Sequence, residues 1–118
     1  MNQPMRAAMS DDTDDGRVMV TVVLQHHPGL TLDDVQSRMK ASGWWDHFPP
    51  PGVEIVHWTV AMGFGQICTL KLAPKLLPQL NVELERRAWG VFSTRCYPTY
   101  DFVPVRERIQ ERVAQGGQ

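Results

Sequence analysis

The stretch from Arg17 to Gln25 constrains this chain more than any other. Val18, Val20, Val22 and Leu24 fall on one parity, and Met19, Thr21, Val23 and Gln25 on the other. β-Branched residues at this density favour extended backbone. A strand that is largely apolar at both parities is a central strand and needs cover on both faces. A two-layer domain supplies one cover from its own helices, so the second has to come from elsewhere.

At 118 residues there is room for one domain with a single two-layer core. The formal net charge is −1, which gives no basic face of the kind nucleic acid requires, and no nucleic-acid partner is expected. Arg and Lys instead interleave with Glu from Glu83 to Arg87 and from Arg106 to Arg112, a pattern that reads as solvated helix faces. No apolar run approaches the ~20 residues of a membrane span, and Met1 to Ala8 lacks the apolar core of a secretory signal. Two cysteines, Cys68 and Cys96, are too few for a disulfide scaffold, and a reducing cytoplasm is the expected compartment.

The remaining punctuation divides the chain. Residues 1–16 mix small and acidic types without period and predict a flexible tail. After the first strand, His26-His27-Pro28-Gly29 breaks the chain, and Thr31 with Asp34 three residues on opens a helix. Leu32, Val35 and Met39 give that helix one apolar stripe, and Gly43 ends it. Trp44 to Phe48 and Pro49-Pro50-Pro51-Gly52 predict a stiff aromatic loop. A second strand follows over 53–62, with Ile55, His57, Thr59 and Ala61 on one face and Val56, Trp58, Val60 and Met62 on the other. Gly63-Phe64-Gly65 turns the chain into a third strand over 66–72. A second helix starts between Pro74 and Pro78, carries Leu77, Leu80, Leu84 and Ala88, and closes at Gly90. Residues 91–97 form a fourth strand and Tyr97 to Phe102 an extended arm. Pro104 opens a charged terminal helix that frays at Gln115 to Gly117.

This β-α-β-β-α-β order predicts an α+β, ferredoxin-like sandwich over 17–103, with a four-stranded antiparallel sheet in the order 4-1-3-2 and a terminal segment over 104–118. Both helices then lie on one face. The helix-free face presents Met19, Val23, Ile55, Ala61 and Ile67, an apolar patch that marks a partner site. Sheet-to-sheet pairing into a homodimer is the expected cover. The strand order also separates Cys68 from Cys96 by one strand, too far for a disulfide.

In element order, and in a second helix ending Ala88-Trp89-Gly90 before the fourth strand, residues 17–103 resemble the dimeric α+β barrel superfamily. Its members include antibiotic-biosynthesis-type monooxygenases, muconolactone isomerases, polyketide cyclases and stress-responsive barrel proteins. Ala88-Trp89-Gly90-Val91-Phe92 with Tyr97-Pro98-Thr99-Tyr100-Asp101-Phe102 also looks like a group of small uncharacterised bacterial proteins of that fold. The resemblance implies a small-molecule cleft between the helix-free sheet face and the loops at the barrel mouth.

Several residues could serve such a cleft. If Trp58 packs under the helices, His57 points into the dimer cavity, either as an acid/base or as a hydrogen-bonded histidine at the seam. His26 and His27 follow the first strand and point opposite ways in extended backbone, so one of them can face a cavity. Trp44 and Trp45 either wall an aromatic pocket or divide between the core and the proline loop. Arg95 can clamp a carboxylate or enolate, or pair with Asp101 or Glu54. Tyr97, Tyr100 and Asp101 can line the mouth. No spacing among the histidines supports a metal site, and no motif calls for a cofactor. Three function classes remain. One is a cofactor-free isomerase, cyclase or monooxygenase acting on an aromatic or polyketide-like molecule, with His57 as acid/base. Another is a non-catalytic ligand-binding or accessory interaction protein. A haem or metal protein using one cavity histidine is a third.

Overall fold

Nine residues of alternating side chains, Val18–His26, make strand β1, and every other element is positioned from it. The computed structural model describes residues 15–116. Of the flexible tail expected over 1–16, only Asp15 and Gly16 fall within that range, and Gly117 of the expected frayed end lies outside it. After β1 come helix α1 (Leu32–Ser42), a short helix α2 (Trp44–His47), strands β2 (Glu54–Ala61) and β3 (Gly65–Leu72), a 3-10 turn over Pro74–Leu76, helix α3 (Leu77–Arg87), strand β4 (Phe92–Thr99) and helix α4 (Val103–Ala114). The sheet order is β2-β3-β1-β4, with all neighbours antiparallel. That is the expected 4-1-3-2 read from the other edge, and it is consistent with a ferredoxin-like fold.

Local chemistry fixes the helix ends. The Asp34 N–H donates to Thr31 Oγ1 at 3.1 Å, and the Thr31 N–H donates to Asp34 Oδ2 at 3.0 Å, a complete capping box. At the other end Gly43 sits at φ 78°. A Cβ there would also lie 2.8 Å from the Arg87 guanidinium, so backbone and neighbour both call for glycine. Gly65 is tighter still, since its Cβ would stand 2.1 Å from the Leu24 carbonyl oxygen across the sheet.

The core lies between the sheet and α1, α2 and α3. Val20, Val22 and Leu24 from β1 and Cys68, Leu70 and Leu72 from β3 meet Met39, Trp44, Leu80, Leu84 and Ala88. Burial in this apolar layer pushes the Cys68 thiol up to about 12. Cys96 lies two strands away, both cysteines flanking Val22.

Four expectations change. Residues 44–47 are helical rather than loop, because α1 ends at Gly43 and restarts at once in a new direction. The arm expected after Tyr97 belongs in part to the sheet, with Thr99 pairing Met19. Ile55 is not on the helix-free face. A β-bulge between Ile55 and His57 pairs Ile55 with buried Leu70 and turns Val56 to the other side. Finally, the run Glu83 to Arg87 is not wholly solvated. Glu83 is buried, and Arg87 donates both to its carboxylate and to the Ser42 carbonyl at the end of α1.

The Arg87 hydrogen bond holds the Glu83 carboxyl below its ordinary value, assisted by the charges of Arg87 and Arg86. A lowered folded-state value means the pair stabilises the fold above the ordinary carboxylate range and loses that effect as pH falls through it. Arg87→Met therefore costs about 2–3 kcal/mol at pH 7, because Glu83 is left buried without its partner. Urea unfolding at pH 7 and pH 3 checks this, and the gap between wild type and variant is expected to shrink at the lower pH.

Candidate functional site

The face of the sheet away from the helices is covered by no other element of the described chain, and its side chains form rows across the strands. One row runs His57, Thr69, Thr21, Tyr97, and the next Thr59, Ile67, Val23, Arg95. Met19, Thr21, Val23, Ile67 and Thr69 are half-buried on this face even so, because neighbouring side chains shield one another, whereas His57, Thr59, Arg95 and Tyr97 are exposed.

Three threonines carry the polar centre. Thr21 Oγ1 lies 3.2 Å from Thr69 Oγ1 and 3.1 Å from Thr99 Oγ1, a hydroxyl chain across β3, β1 and β4. Three hydroxyls hold three protons, and the two links between them use two. One O–H donor is left over, together with free lone pairs. His57 is the direct cross-strand neighbour of Thr69. None of these threonines is among the residues expected at the site. The sequence carries a signal for them: threonine at the outward parity of both central strands, beside Met19, Val23 and Ile67, is a polar choice within an apolar stretch.

A broad cleft of about 560 Å3 lies over this centre, lined by Met19, Thr21, Val56, His57, Thr69, Lys71, Thr99, Tyr100, Asp101 and Val103. The bulge in β2 therefore has a consequence at the site, since it presents Val56 and His57 side by side to the same cleft. Asp101 Oδ1 accepts from the Val103 N–H at 3.0 Å, which ties the mouth to the first turn of α4.

A second, smaller cavity of about 270 Å3 lies on the helix side, at one end of the sheet, lined by residues that include His26, Trp44, Trp45, Gln66 and Phe92. The expected site residues thus separate into two groups. His57, Tyr100 and Asp101 meet over the open face. His26, Trp44 and Trp45 meet on the opposite side, so the tryptophans form no wall of the cleft that His57 faces. Trp44 is core, stacked on Phe48 at 4.1 Å and edge-on to Trp58 at 6.0 Å, while Trp45 is exposed. His27 lies in the turn after β1 and lines neither cavity. Arg95 and Tyr97 stand on the open face along edge strand β4, beside rather than within the cleft. Glu54, one expected partner of Arg95, pairs instead with Arg17 at 2.7 Å.

Among the described residues no three His, Cys, Asp or Glu side chains gather as a metal site, and no helix is long and apolar enough to cross a membrane. No family model, curated protein or solved structure matches the chain.

Proposed function

We propose that the chain works as a homodimer whose open sheet faces close on each other and hold a small organic acid, aromatic or polyketide-like in skeleton, in the chamber between them. One observation carries this reading. The row His57, Thr69, Thr21 sets hydrogen-bonding groups in a half-buried apolar surface made by Met19, Val23 and Ile67, which nothing within the described chain covers. The spare hydroxyl donor and the imidazole suit a carboxylate or enolate, and Met19, Val56 and Val103 can receive the carbon skeleton.

A second copy as the cover needs more than the sheet to hold it. Four strands ~4.8 Å apart, each about eight residues long at ~3.3 Å per residue, project roughly 500 Å2 of sheet. A stable interface takes about 800 Å2 per partner, so the sheet alone falls short. Helix α4 makes up the difference in this reading. It carries no buried residue, and Phe102, Val103 and Val113 at its start and end are exposed.

Ligand binding, rather than catalysis, is the primary activity proposed. Among the described residues no side chain hydrogen-bonds the His57 ring to fix its tautomer, whereas histidines that act as general bases are held by such a partner. Proton transfer by His57, as an isomerase, cyclase or cofactor-free monooxygenase would use it, requires that orientation to come from the ligand or from the second subunit.

A thermal-shift series with benzoate, salicylate and simple lactones tests the reading on wild type and His57→Ala. At about 100 times the dissociation constant, linkage adds about 2.7 kcal/mol and raises the melting temperature by several degrees. The expected result is a rise with the acids that falls by more than half in His57→Ala. Equal shifts in both proteins, or none with any acid, would remove His57 from the site.

A further inference from the structure

The cavity on the helix side of the sheet carries a site of its own. Met39, Trp44 and Phe92 form a buried wall. Trp44 is held by its stack on Phe48, so this wall is in place before any ligand arrives. Trp45 stands at the exposed rim. Such a surface receives flat rings by stacking or edge contact. The volume of about 270 Å3 lies just below the range of drug-sized sites, roughly 300 to 1,000 Å3. It matches one or two fused rings.

One polar group in this cavity has its chemistry fixed by a neighbour. The Trp58 indole N–H donates to Gln66 Oε1 at 2.7 Å. An indole nitrogen donates and never accepts, so the Gln66 carboxamide is locked with its oxygen toward Trp58. What it retains for the cavity is its NH2 group, which donates to nothing else among the described residues. No lysine, arginine or carboxylate lines the cavity, and its one imidazole, His26, is stacked on Phe92 at 5.9 Å as part of the aromatic wall, so the lining favours a flat ring over a charged group.

We infer that this cavity binds a neutral, flat aromatic molecule of one or two fused rings with a hydrogen-bond acceptor at its edge, a ring nitrogen or carbonyl that takes the Gln66 amide N–H. The site lies on the opposite side of the sheet from the His57 cleft and does not depend on the reading of that cleft or on dimerisation.

Quinoline and 1-methylindole make a matched pair of probes. Both are neutral bicycles of the same size near pH 7, but only quinoline carries an acceptor. Each is titrated into the 15N-labelled full chain while the Gln66 side-chain amide and the Trp45 indole signals are followed. Quinoline is expected to move both with a dissociation constant below about 1 mM, well within the affinity bound for so small a ligand. 1-Methylindole is expected to bind about tenfold more weakly, the cost of leaving the amide unpaired. In Gln66→Met, which keeps the side-chain length and removes the donor, the two probes should bind alike. Should that variant unfold, Trp45→Ala reads the same site from an exposed position and should weaken both probes. Equal binding of the two probes to wild type overturns the proposal. So does an absence of quinoline shifts at Gln66 and Trp45, or their appearance at Thr21 and Thr69 instead.

Discussion

Trp44→Ala is expected to lower the free energy of unfolding by about 3–5 kcal/mol, the range for truncating a large buried aromatic. Trp44 is 1% exposed. It lies parallel to Phe48, with 7° between the ring planes, and meets Trp58 edge-on, so the loss exceeds that of buried area alone. The site also has little means of collapsing. Phe48 is itself edge-on to Trp58 at 5.7 Å, and Trp58 is tied to Gln66, so the three rings and one amide form a framework that leaves a void when its centre is removed. A domain of this size holds roughly 5–15 kcal/mol in total, which makes this one residue a large share of it. Urea unfolding followed by far-ultraviolet circular dichroism checks the value. Trp45→Ala, one position along and 65% exposed, provides the contrast and should stay within about 0.5 kcal/mol of wild type. Similar losses at both positions would mean that the ring cluster is not what holds α2 to the sheet.

The second large effect concerns the open face. Ile67→Lys is expected to raise the dissociation constant of the proposed dimer a hundredfold or more, while each subunit stays folded. Ile67 is half-buried between Thr59 and Val23 on that face. In a lone subunit the lysine stem lies along the sheet and its ammonium reaches water, at little cost. Between two closed sheets the charge has neither water nor partner, and an uncompensated buried charge costs about 3–5 kcal/mol. Sedimentation equilibrium gives the dissociation constant and circular dichroism confirms folding. A variant that associates as tightly as wild type would place any interface elsewhere.

Much of the fold was legible in the sequence because it depends on local chemistry. The two parities of β1, the Thr31–Asp34 box, Gly43 after the last helical turn and the Gly63-Phe64-Gly65 hairpin each specify a conformation within a few residues. Element order and strand order followed from these. The bulge at Ile55–His57 was not legible, since one extra residue in a strand leaves no mark on composition yet exchanges the faces of Ile55 and Val56. The Glu83–Arg87 pair was hidden for a related reason. An i,i+4 ion pair looks the same in sequence whether it is solvated or, as here, pressed against the end of a neighbouring helix.

The candidate site was legible only in part. His57 follows from its parity relative to Trp58, and that inference survives the bulge because both residues lie beyond it. Trp44 and Trp45 belong to the other layer. Those residues follow directly on α1, and α1 covers the face that His57 does not. The threonines stand out by parity, but their hydroxyl chain and the Trp58–Gln66 bond depend on cross-strand register, which no single stretch of sequence displays.

Helices cover one side of this sheet, and among the described residues no element covers the other, so a second copy is proposed as its cover. Sedimentation of the full chain at micromolar concentration and physiological salt measures this directly. A single species of about twice 13.4 kDa is expected, whereas a species of 13.4 kDa that persists at about 100 μM, far above the dissociation constant of a specific dimer, would rule out the proposed pairing.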